Sequence, residues 1–371
     1  GRVYGQPFAA TLTGTRLTFA VGDYRWRATL RNDTLTGWLG IGTDSSKWTG
    51  VRDGRSRTPR SNTLAPATYA HGVSATDTPA LRIVAGDTVI TSTVDAGGWG
   101  PGEINAPGNK RDRGGNPLVG PIYVENALPG DVLIVKLHRV RLNRSWAFSG
   151  TSLMETVIEP AYAAERKPTQ QDDKWRLDTL TNTARLAKPS AALADFTVPL
   201  HPFLGVIATA PSVDYTPSSR ESGSYGGNME NKWLREGATV YLPVRVRGAY
   251  FYVGDGHAAQ GDGELTGDAM ETSLDVTFSV EIKRWGFQNL VRAEDEEQIM
   301  SVGVAGSLDE AMRRATSDMA RWLEDAYKLS ATDAALVLGF AARFDIPDVV
   351  APGYGVTLRV PKSALATLKR P

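Results

Sequence analysis

Five residues that can bind metal ions or carry protons fall within one glycine-rich stretch, AYFYVGDGHAAQGDGEL at positions 249–265. They are Asp255, His257, Gln260, Asp262 and Glu264. The glycines between them let the backbone turn tightly and approach a ligand closely. Carboxylate, imidazole and amide groups are all ligands or proton carriers. The stretch therefore predicts a binding or catalytic loop rather than a spacer.

Several other chemistries are excluded by what the chain lacks. It has no cysteine, which excludes disulfides, thiolate zinc sites and cysteine nucleophiles. It has no phosphate-binding loop and no Gly-x-Ser-x-Gly elbow. Residues 254–259 match the dinucleotide pattern G-x-G-x-x-A, but such a loop must open a helix, and Gly261 and Gly263 would break that helix at once. The DSSKW stretch at 44–48 lacks the glycine lead of a serine amidase.

The best-supported catalytic device is then a metal ion held by carboxylates and imidazole, at which a water molecule ionises and attacks a carbonyl. Of the four histidines, we expect His257 to be a ligand, because three acidic residues share its loop, whereas the apolar setting of His201 taken alone is more typical of a hydrogen-bonded core residue than of a ligand. His138 follows an alternating strand and is expected to be structural. For Asp262 and Glu264 the alternative is that they accept turn hydrogen bonds from the glycine-rich backbone.

Composition limits the partners. The 41 basic and 41 acidic residues balance, so the chain has no electrostatic footprint for nucleic acid or for an anionic membrane. No apolar run approaches the roughly 18 residues of a membrane span, and we expect a soluble chain. The first residues, GRVYGQPF, have neither an initiating Met nor an apolar signal core, which suggests a processed start. The cellular compartment stays open between the cytoplasm and export to the periplasm.

The elements that must position these residues are mostly strands. Residues 8–57 hold short apolar runs such as RLTFAV and YRWRATL between turn signals, which predicts a β-meander. Its Trp26, Trp38 and Trp48 are expected in a core, with a sugar-binding face as the alternative. We expect residues 1–60 to form a β-rich extension and 61–371 the main domain, with a linker over 58–68.

From residue 80 onward, glycine turns directly precede alternating, Val-rich strands, as in LPGDVLIVKLHRVRL and EGATVYLPV. Ser307 and Ser330 each begin a helical pattern, with Glu310 and Asp333 three places later as capping boxes. These patterns predict an α+β, predominantly β fold of stacked β-sandwich-like units with a C-terminal helical pair. Segments 97–121 and 211–229 are too long for turns and are candidate functional loops.

At this point the residues resemble a known family. GPIYVENALPGDVL, HPFLGVIATAP, YGGNMENKWL, ATVYLPV and GAYFYVGDGHAAQGDGE are similar, in order and spacing, to the signature blocks of the acetamidase/formamidase family. The resemblance extends from about residue 67 to the end. It implies metal-dependent hydrolysis of a formamide- or acetamide-like linear amide to ammonia and a carboxylate. It also implies a β-rich fold with a bound divalent metal, and we expect zinc, with calcium as the alternative, and a homo-oligomer.

The resemblance assigns site residues one by one. Expected metal ligands are His201, Asp255 and His257, with Asp95, Glu230 and His71 around them. Expected catalytic residues are His257, Gln260, Asp262 and Glu264, and expected substrate-binding residues are Asn116, Gly227 and Asn228. A metal-bound hydroxide would attack the amide carbonyl, and Glu264 would carry the proton from water to the departing nitrogen.

The chain also departs from the family pattern. The family's Gly-Gly-Asn-x-Asp block ends here in Glu230, a longer carboxylate, and the loop over 96–115 does not resemble its usual counterpart. Residues 1–60 have no counterpart in simple family members. Two alternatives follow, a non-catalytic small-molecule binding protein on the same fold and a hydrolase of a larger amide. The volume of the pocket would distinguish a small amide substrate from a larger one, because a site for formamide should be very small.

Overall fold

The computed structural model describes residues 2–3, 6–7, 9–31, 34–51, 57–102, 110–112, 114–168, 171 and 173–368. The chain divides into two compact units, Gly1–Ser56 and Arg57–Pro371. Strands hold 42% of the chain and helices 15%, which confirms the predominantly β fold with helices near the C-terminus. No helix within the described ranges has both the length and the apolar character needed to cross a membrane.

The first unit is built from strands. They are β1 Arg2–Val3, β2 Gln6–Pro7, β3 Ala10–Thr13, β4 Arg16–Val21, β5 Tyr24–Arg31, β6 Thr34–Ile41 and β7 Asp44–Val51. Strands β3 to β7 form the predicted antiparallel meander. Trp26 is half-buried and stacks on Phe19 at 4.9 Å. The core expectation was wrong for Trp38, which is 54% exposed, because strand alternation places it beside its cross-strand neighbours Arg27 and Lys47.

The second unit carries the remaining elements. Its strands are β8 Ser61–Leu64, β9 Leu81–Ile83, β10 Thr88–Ser92, β11 Leu118–Val124, β12 Val132–Leu142, β13 Trp146–Phe148, β14 Lys174–Asp178, β15 Thr183–Leu186, β16 Thr197–Pro199, β17 Phe203–Thr209, β18 Ser222–Gly223, β19 Gly226–Asn228, β20 Thr239–Pro243, β21 Phe251–His257, β22 Leu274–Lys283, β23 Val291–Glu294, β24 Gln298–Ala305, β25 Arg343–Asp345 and β26 Tyr354–Pro361. Its α-helices are α1 Pro160–Glu165, α2 Leu308–Tyr327, α3 Ala331–Ala341 and α4 Lys362–Leu365, and its 3-10 helices are Glu155–Val157, Ala191–Leu193 and Asp262–Glu264.

Two sheets of this unit share one apolar core. The larger has the order β25-β26-β24-β23-β20-β12-β22-β10-β8, and the smaller has the order β18-β19-β17-β21-β11-β9. Val-rich faces of both sheets meet in a single cluster of buried side chains. Phe251 of the smaller sheet contacts Phe278 of the larger one edge to face, with ring centroids 5.2 Å apart. The alternating patterns in the sequence thus become the two inner faces of a β-sandwich. Strands β13 to β16 form a separate four-stranded sheet.

The expected linker over 58–68 is partly a strand. Residues Ser61–Leu64 form β8 and pair in parallel with β10. Leu64 and Asn62 are buried in this strand. The Ser, Asn and Pro content of the segment favours a loop locally, and the sheet edge supplied by β10 overrides that preference.

The C-terminal helices begin as the sequence predicts, with one difference. The Ser330 hydroxyl accepts from the Asp333 N–H, and the Asp333 carboxylate accepts from the Ser330 N–H, which completes the capping box. The Ser307 hydroxyl accepts from the Glu310 N–H in the same way. The Glu310 side chain, however, pairs with Arg314 one turn later instead of returning to the cap, so this helix has half of the predicted box.

Candidate active site

Three adjacent strands of the smaller sheet bring the main candidates together. Strand β21 ends at His257, which lies opposite Phe203 at the start of β17. On the other side of β17, Asn228 at the end of β19 lies opposite Val206. Glu230 follows two residues after β19, so it reaches the same end of the sheet as His257 and Asp255. The antiparallel register therefore converts sequence blocks about 27 residues apart into one buried cluster.

His257 is the centre of this cluster and is completely buried. Its Nδ1 lies 3.1 Å from Gln260 Oε1 and 3.2 Å from Glu230 Oε2. Its Nε2 lies 3.0 Å from Glu271 Oε1 and 3.5 Å from Asp255 Oδ1. Phe203 contacts the imidazole ring edge to face at 5.0 Å. Both ring nitrogens thus face carboxylates inside an otherwise apolar layer.

The sequence prediction missed Glu271. Its carboxylate is 2% exposed and reaches His257 because residues 256–259 and 270–272 run antiparallel. Backbone hydrogen bonds join Ala258 N to Met270 O at 2.8 Å and Thr272 N to Gly256 O at 2.7 Å. The only signal in the sequence was an acidic residue a few positions ahead of the buried strand β22, and that signal does not specify a pairing partner.

The carboxylates of the cluster form the floor of a cavity of about 450 Å³, whereas His257 itself is not one of its lining residues. Both predicted functional loops contribute to it, through Gly97 and Asn116 from one and Arg220 and Asn228 from the other. The remaining lining residues combine acidic and apolar side chains, namely Ala96, Phe148, Met154, Glu230, Asp255, Glu264, Gly267, Asp268, Glu271, Val350, Ala351 and Pro352. The buried carboxylates form a polar floor, and the apolar residues surround it.

Several floor residues adopt the left-handed backbone conformation that non-glycine residues rarely use. The φ angles are 42° at Asn116, 51° at Glu230, 58° at Asp255 and 49° at Glu264. Such conformations cost on the order of 1–3 kcal/mol each and persist only where the surrounding structure enforces them. Four of the eleven non-glycine residues with this conformation in the described part of the chain line this one cavity, which supports it as the candidate functional site.

Burial dominates the protonation of the floor. Removal from water raises the pKa of Glu264 to about 9 and that of Glu271 to about 7. It also raises the pKa of Glu230 well above its ordinary value, with the nearby Glu264 charge adding to the effect. Burial alone lowers the pKa of His257, but the charges of its carboxylate neighbours outweigh burial and raise it well above its ordinary value.

Some buried atoms of the cluster lack partners despite their close neighbours. Within the described ranges, His257 Nε2, Asp255 Oδ1, Glu230 Oε2 and Glu271 Oε2 have no hydrogen bond. Nε2 nevertheless lies 3.0 Å from Glu271 Oε1 and 3.5 Å from Asp255 Oδ1, so both carboxylates are its ion-pair neighbours. Ligand atoms of Asp255, His257 and Glu271 all lie within 4.8 Å of one another. A shared cation would satisfy these atoms where hydrogen bonds do not.

Gln260, predicted as catalytic, contacts His257 rather than the cavity. Its Nε2 donates to Pro347 O at 2.9 Å, which directs its Oε1 toward His257 Nδ1 at 3.1 Å. An amide oxygen can only accept, so Nδ1 carries a proton, and in the neutral imidazole, the form that binds a metal, Nε2 then keeps its lone pair. Gln260 therefore fixes the tautomer in which Nε2, facing Asp255 and Glu271, is available to bind a metal.

The predicted substrate-binding residues form a connected group. Asn116 Nδ2 donates to Asn228 Oδ1 at 2.9 Å and to Asp255 Oδ2 at 3.2 Å. Gly227 contributes through its backbone, with φ at 95° and a position where a Cβ would lie 2.2 Å from Glu221 O. The tight turn at Gly227 thus sets the direction in which the Asn228 side chain enters the cavity.

Asp262 and Glu264 lie two residues apart, but only Glu264 belongs to the cavity. The Asp262 side chain is 48% exposed and lies 2.6 Å from Lys232 Nζ. The two acids lie in a 3-10 helix, where residues i and i+2 point in different directions because three residues complete a turn. The expected catalytic role of Asp262 is therefore replaced by a surface ion pair.

His201 does not join the cluster either. It lies two residues before β17 begins and is exposed. It lines a second cavity, of about 600 Å³, together with Trp175 and Phe196. Because Leu200 is buried, the side chain of the following residue turns outward, so the position of His201 does not suit the predicted ligand role.

Asp95, an expected metal ligand, is buried and pairs with an arginine. Its carboxylate lies 2.5 Å from Arg144 Nη2, and both side chains are fully buried. Asp95 Oδ1 also accepts from Trp99 N at 2.8 Å. This buried ion pair supports the wall at Ala96 and Gly97 instead of supplying a metal ligand.

His71 binds a loop rather than the cluster. Its side chain is 39% exposed, and its Nε2 lies 3.0 Å from Asp112 Oδ1. Its Nδ1 lies 2.8 Å from Gly115 O. The ring thereby holds the segment that leads into Asn116, so His71 positions a wall of the cavity. His138 is exposed and contacts Ser279 Oγ at 2.7 Å, consistent with the expected structural role.

The fold and the site define a two-sheet β-sandwich protein with a buried centre of one imidazole and several carboxylates at the floor of a cavity. The family model described as the acetamidase/formamidase family matches residues 79–224 and 216–364. The chain belongs to the acetamidase/formamidase family. The match includes every floor residue named above.

Individual relatives are more distant. A Schizosaccharomyces pombe protein provisionally named a formamidase is 24% identical over 218 residues, which cover 47% of this chain and 53% of the relative. The formamidase of Methylophilus methylotrophus is 26% identical over 227 residues, covering 47% and 54%. The chain thus spans about half the length of the curated relatives it matches. The crystal structure of an acetamidase from Yersinia enterocolitica is 26% identical, with a TM-score of 0.71 over 85% of this chain and 96% of that one.

Proposed function

We propose that this protein hydrolyses the C–N bond of a linear amide to a carboxylate and ammonia, with a divalent cation bound beside His257. Family membership and the relatives named as formamidase and acetamidase support the reaction class. The observation that carries the site is the convergence of ligand atoms from Asp255, His257 and Glu271 within 4.8 Å of one another, where His257 Nε2 and Asp255 Oδ1, 3.5 Å apart, make no hydrogen bond. Burying such atoms without partners is costly, and a cation is the group that both can bind.

The residues that would hold the cation are Asp255, His257 through Nε2, and Glu271. Carboxylate oxygen and imidazole nitrogen are both zinc ligands, and calcium, which prefers oxygen ligands, is the alternative. This set revises the predicted one, since His201, Asp95 and His71 lie elsewhere. The predicted ligand Glu230 does lie in the cluster, on the Nδ1 side of His257, and forms a second possible ligand group with His257 and Glu264. When bound, such a cation polarises a carbonyl and lowers the pKa of a water molecule.

Glu264 is the residue proposed to move the proton. Amide cleavage requires the nitrogen to leave as ammonia, so a proton must reach it during the reaction. In the metal-free protein, burial raises the pKa of Glu264 to about 9, so its carboxyl is protonated at neutral pH. The acid can donate its proton to the departing nitrogen and regain one from the attacking water. Glu264 lines the cavity beside Glu230 and Glu271, where a bound amide would lie.

Cavity size favours a second candidate, hydrolysis of a larger amide. A volume of about 450 Å³ corresponds to the space of roughly fifteen water molecules at about 30 Å³ each. Formamide has only three non-hydrogen atoms and would leave most of that space unused. Apolar residues at Phe148, Met154 and Val350 could contact an acyl chain of several carbons.

Ammonia release tests these proposals directly. We would measure it from formamide, acetamide, butanamide and benzamide, before and after removal of metal by a chelator and after addition of zinc or calcium. Activity that disappears with the metal and returns with one ion supports the metal-dependent reaction, and the order of rates identifies the substrate size. A metal-loaded protein that releases no ammonia from any amide would instead support the non-catalytic binding alternative.

A further inference from the structure

Asn228 occupies a distinctive place on the cavity floor. It is the last residue of β19, and its side chain is only 5% exposed. Its backbone N–H donates to Glu221 O at 3.0 Å, so its main chain is fixed by strand β19 and by the preceding loop. Its side chain lines the same cavity as Asp255 and Glu264. A bound amide would therefore lie within reach of the Asn228 side-chain amide.

The direction of that amide group follows from its neighbours. Asp255 Oδ2 is a carboxylate oxygen and accepts hydrogen bonds, so the Asn116 atom 3.2 Å from it must be the donor Nδ2. The same Nδ2 lies 2.9 Å from Asn228 and donates there too, which requires the Asn228 atom to be Oδ1. Asn228 Nδ2 must then point away from Asn116. Among the described residues it has no hydrogen-bond partner.

We propose that Asn228 Nδ2 donates a hydrogen bond to the carbonyl oxygen of the amide and stabilises the negative charge that develops on it. Asn116 is then a positioning residue that orients the donor. The inference rests on the amide hydrolysis proposed above. As water attacks the carbonyl carbon, the C=O π electrons move to oxygen, and a preoriented donor gains strength in the transition state. Removing one such donor costs about 100- to 1,000-fold in kcat.

Substitution of Asn228 tests the role. In Asn228→Ala we expect kcat for acetamide to fall about 100- to 1,000-fold, with KM changed less than about threefold and metal content unchanged. Asn116→Ala should lower kcat less, because Nδ2 of Asn228 is retained but no longer oriented. Asn289→Ala, at an exposed position outside the cavity, should leave kcat and KM unchanged.

The outcomes separate the possible roles. If Asn228→Ala loses metal, the asparagine pair serves to hold Asp255, and the donor role is overturned. If kcat stays within threefold of wild type, the donor lies elsewhere. If the variant fails to fold, Asn228→Asp, which keeps the shape and removes the donor, must show the same loss of kcat with normal KM. A wild-type protein without ammonia release from any amide would overturn the proposed function itself, whereas an active wild type with an active Asn228→Ala overturns only this inference.

Discussion

Gly205 and Asp255 lie on neighbouring strands, and a Cβ on Gly205 would come within 2.7 Å of Asp255 Oδ2. The same Cβ would lie 2.9 Å from His257 Cε1 and 3.1 Å from Glu230 Oε1. The absence of a side chain at one position in the middle of β17 therefore leaves the space in which three site residues meet. These side chains are buried, so they have little room to move aside.

Gly205→Ala should damage the site more than the fold. We expect overpacking to cost about 1–3 kcal/mol of unfolding free energy and metal affinity to fall at least about tenfold, because Asp255 and His257 must shift. Metal titration and thermal unfolding of the same samples measure both effects. Gly339→Ala is the control, since its added methyl group meets no atom within 4 Å and lies in α3. Unchanged metal affinity in Gly205→Ala would show that Asp255 and His257 do not bind an ion together.

Glu264→Gln tests the proton carrier. The amide has the shape of the acid but cannot deliver a proton, so kcat should fall about 100- to 10,000-fold while metal content stays normal. Asp262→Asn is the matched control, because Asp262 lies in the same 3-10 helix but points to solvent and pairs with Lys232. It should retain near-normal kcat. Equal losses in the two variants would assign the effect to the helix and not to the Glu264 carboxyl.

Gln260→Leu tests the control of the imidazole tautomer. Leucine fills similar space but cannot accept from His257 Nδ1–H, which leaves only Glu230 Oε2, 3.2 Å away, beside Nδ1. The proton is then held less firmly on Nδ1 and can move to Nε2 and compete with the metal. Loss of such a supporting hydrogen bond typically lowers metal affinity 10- to 100-fold. Competition with a chelator of known affinity measures the change. Gln260→Glu, which keeps an acceptor at this position, should recover most of the affinity, and a variant that fails to do so argues against the acceptor role.

The positions of strands and helices could be predicted from the sequence better than the side-chain contacts of the site. Val-rich strands such as β12 can be predicted from the local sequence, because apolar and polar residues alternate where one face of the strand is buried. The pairing that brings Glu271 to His257 depends on the path of the chain between them, which no local pattern encodes. The resemblance placed Asp255, His257 and Glu264 in one block, but it could not tell that Glu264 turns inward while Asp262 turns outward. That difference arises from the 3-10 helix, and only the three-dimensional backbone specifies it.

Metal-free protein should lose stability as pH rises. Folding raises the pKa of Glu264 from 4.5 to about 9 and that of Glu271 from 4.5 to about 7, and it raises the pKa of Glu230 and His257 as well. At any pH between the unfolded-state pKa of such a group and its higher folded-state pKa, the folded state binds more protons than the unfolded state. The unfolding free energy therefore falls with increasing pH across this window. The physical reason is that each deprotonation creates a buried negative charge, or removes a positive one, beside other carboxylates.

Thermal unfolding in the presence of a chelator measures this effect. We expect Tm to decrease by at least a few degrees from pH 5 to pH 9. Added zinc or calcium should remove most of the decrease, because the cation neutralises the carboxylates that titrate. Glu264→Gln should show a smaller decrease without metal, since its amide cannot ionise. A metal-free Tm that is constant or rises over this range would mean that the carboxylates are neutralised in another way, and the proposed cation site would lose its electrostatic basis.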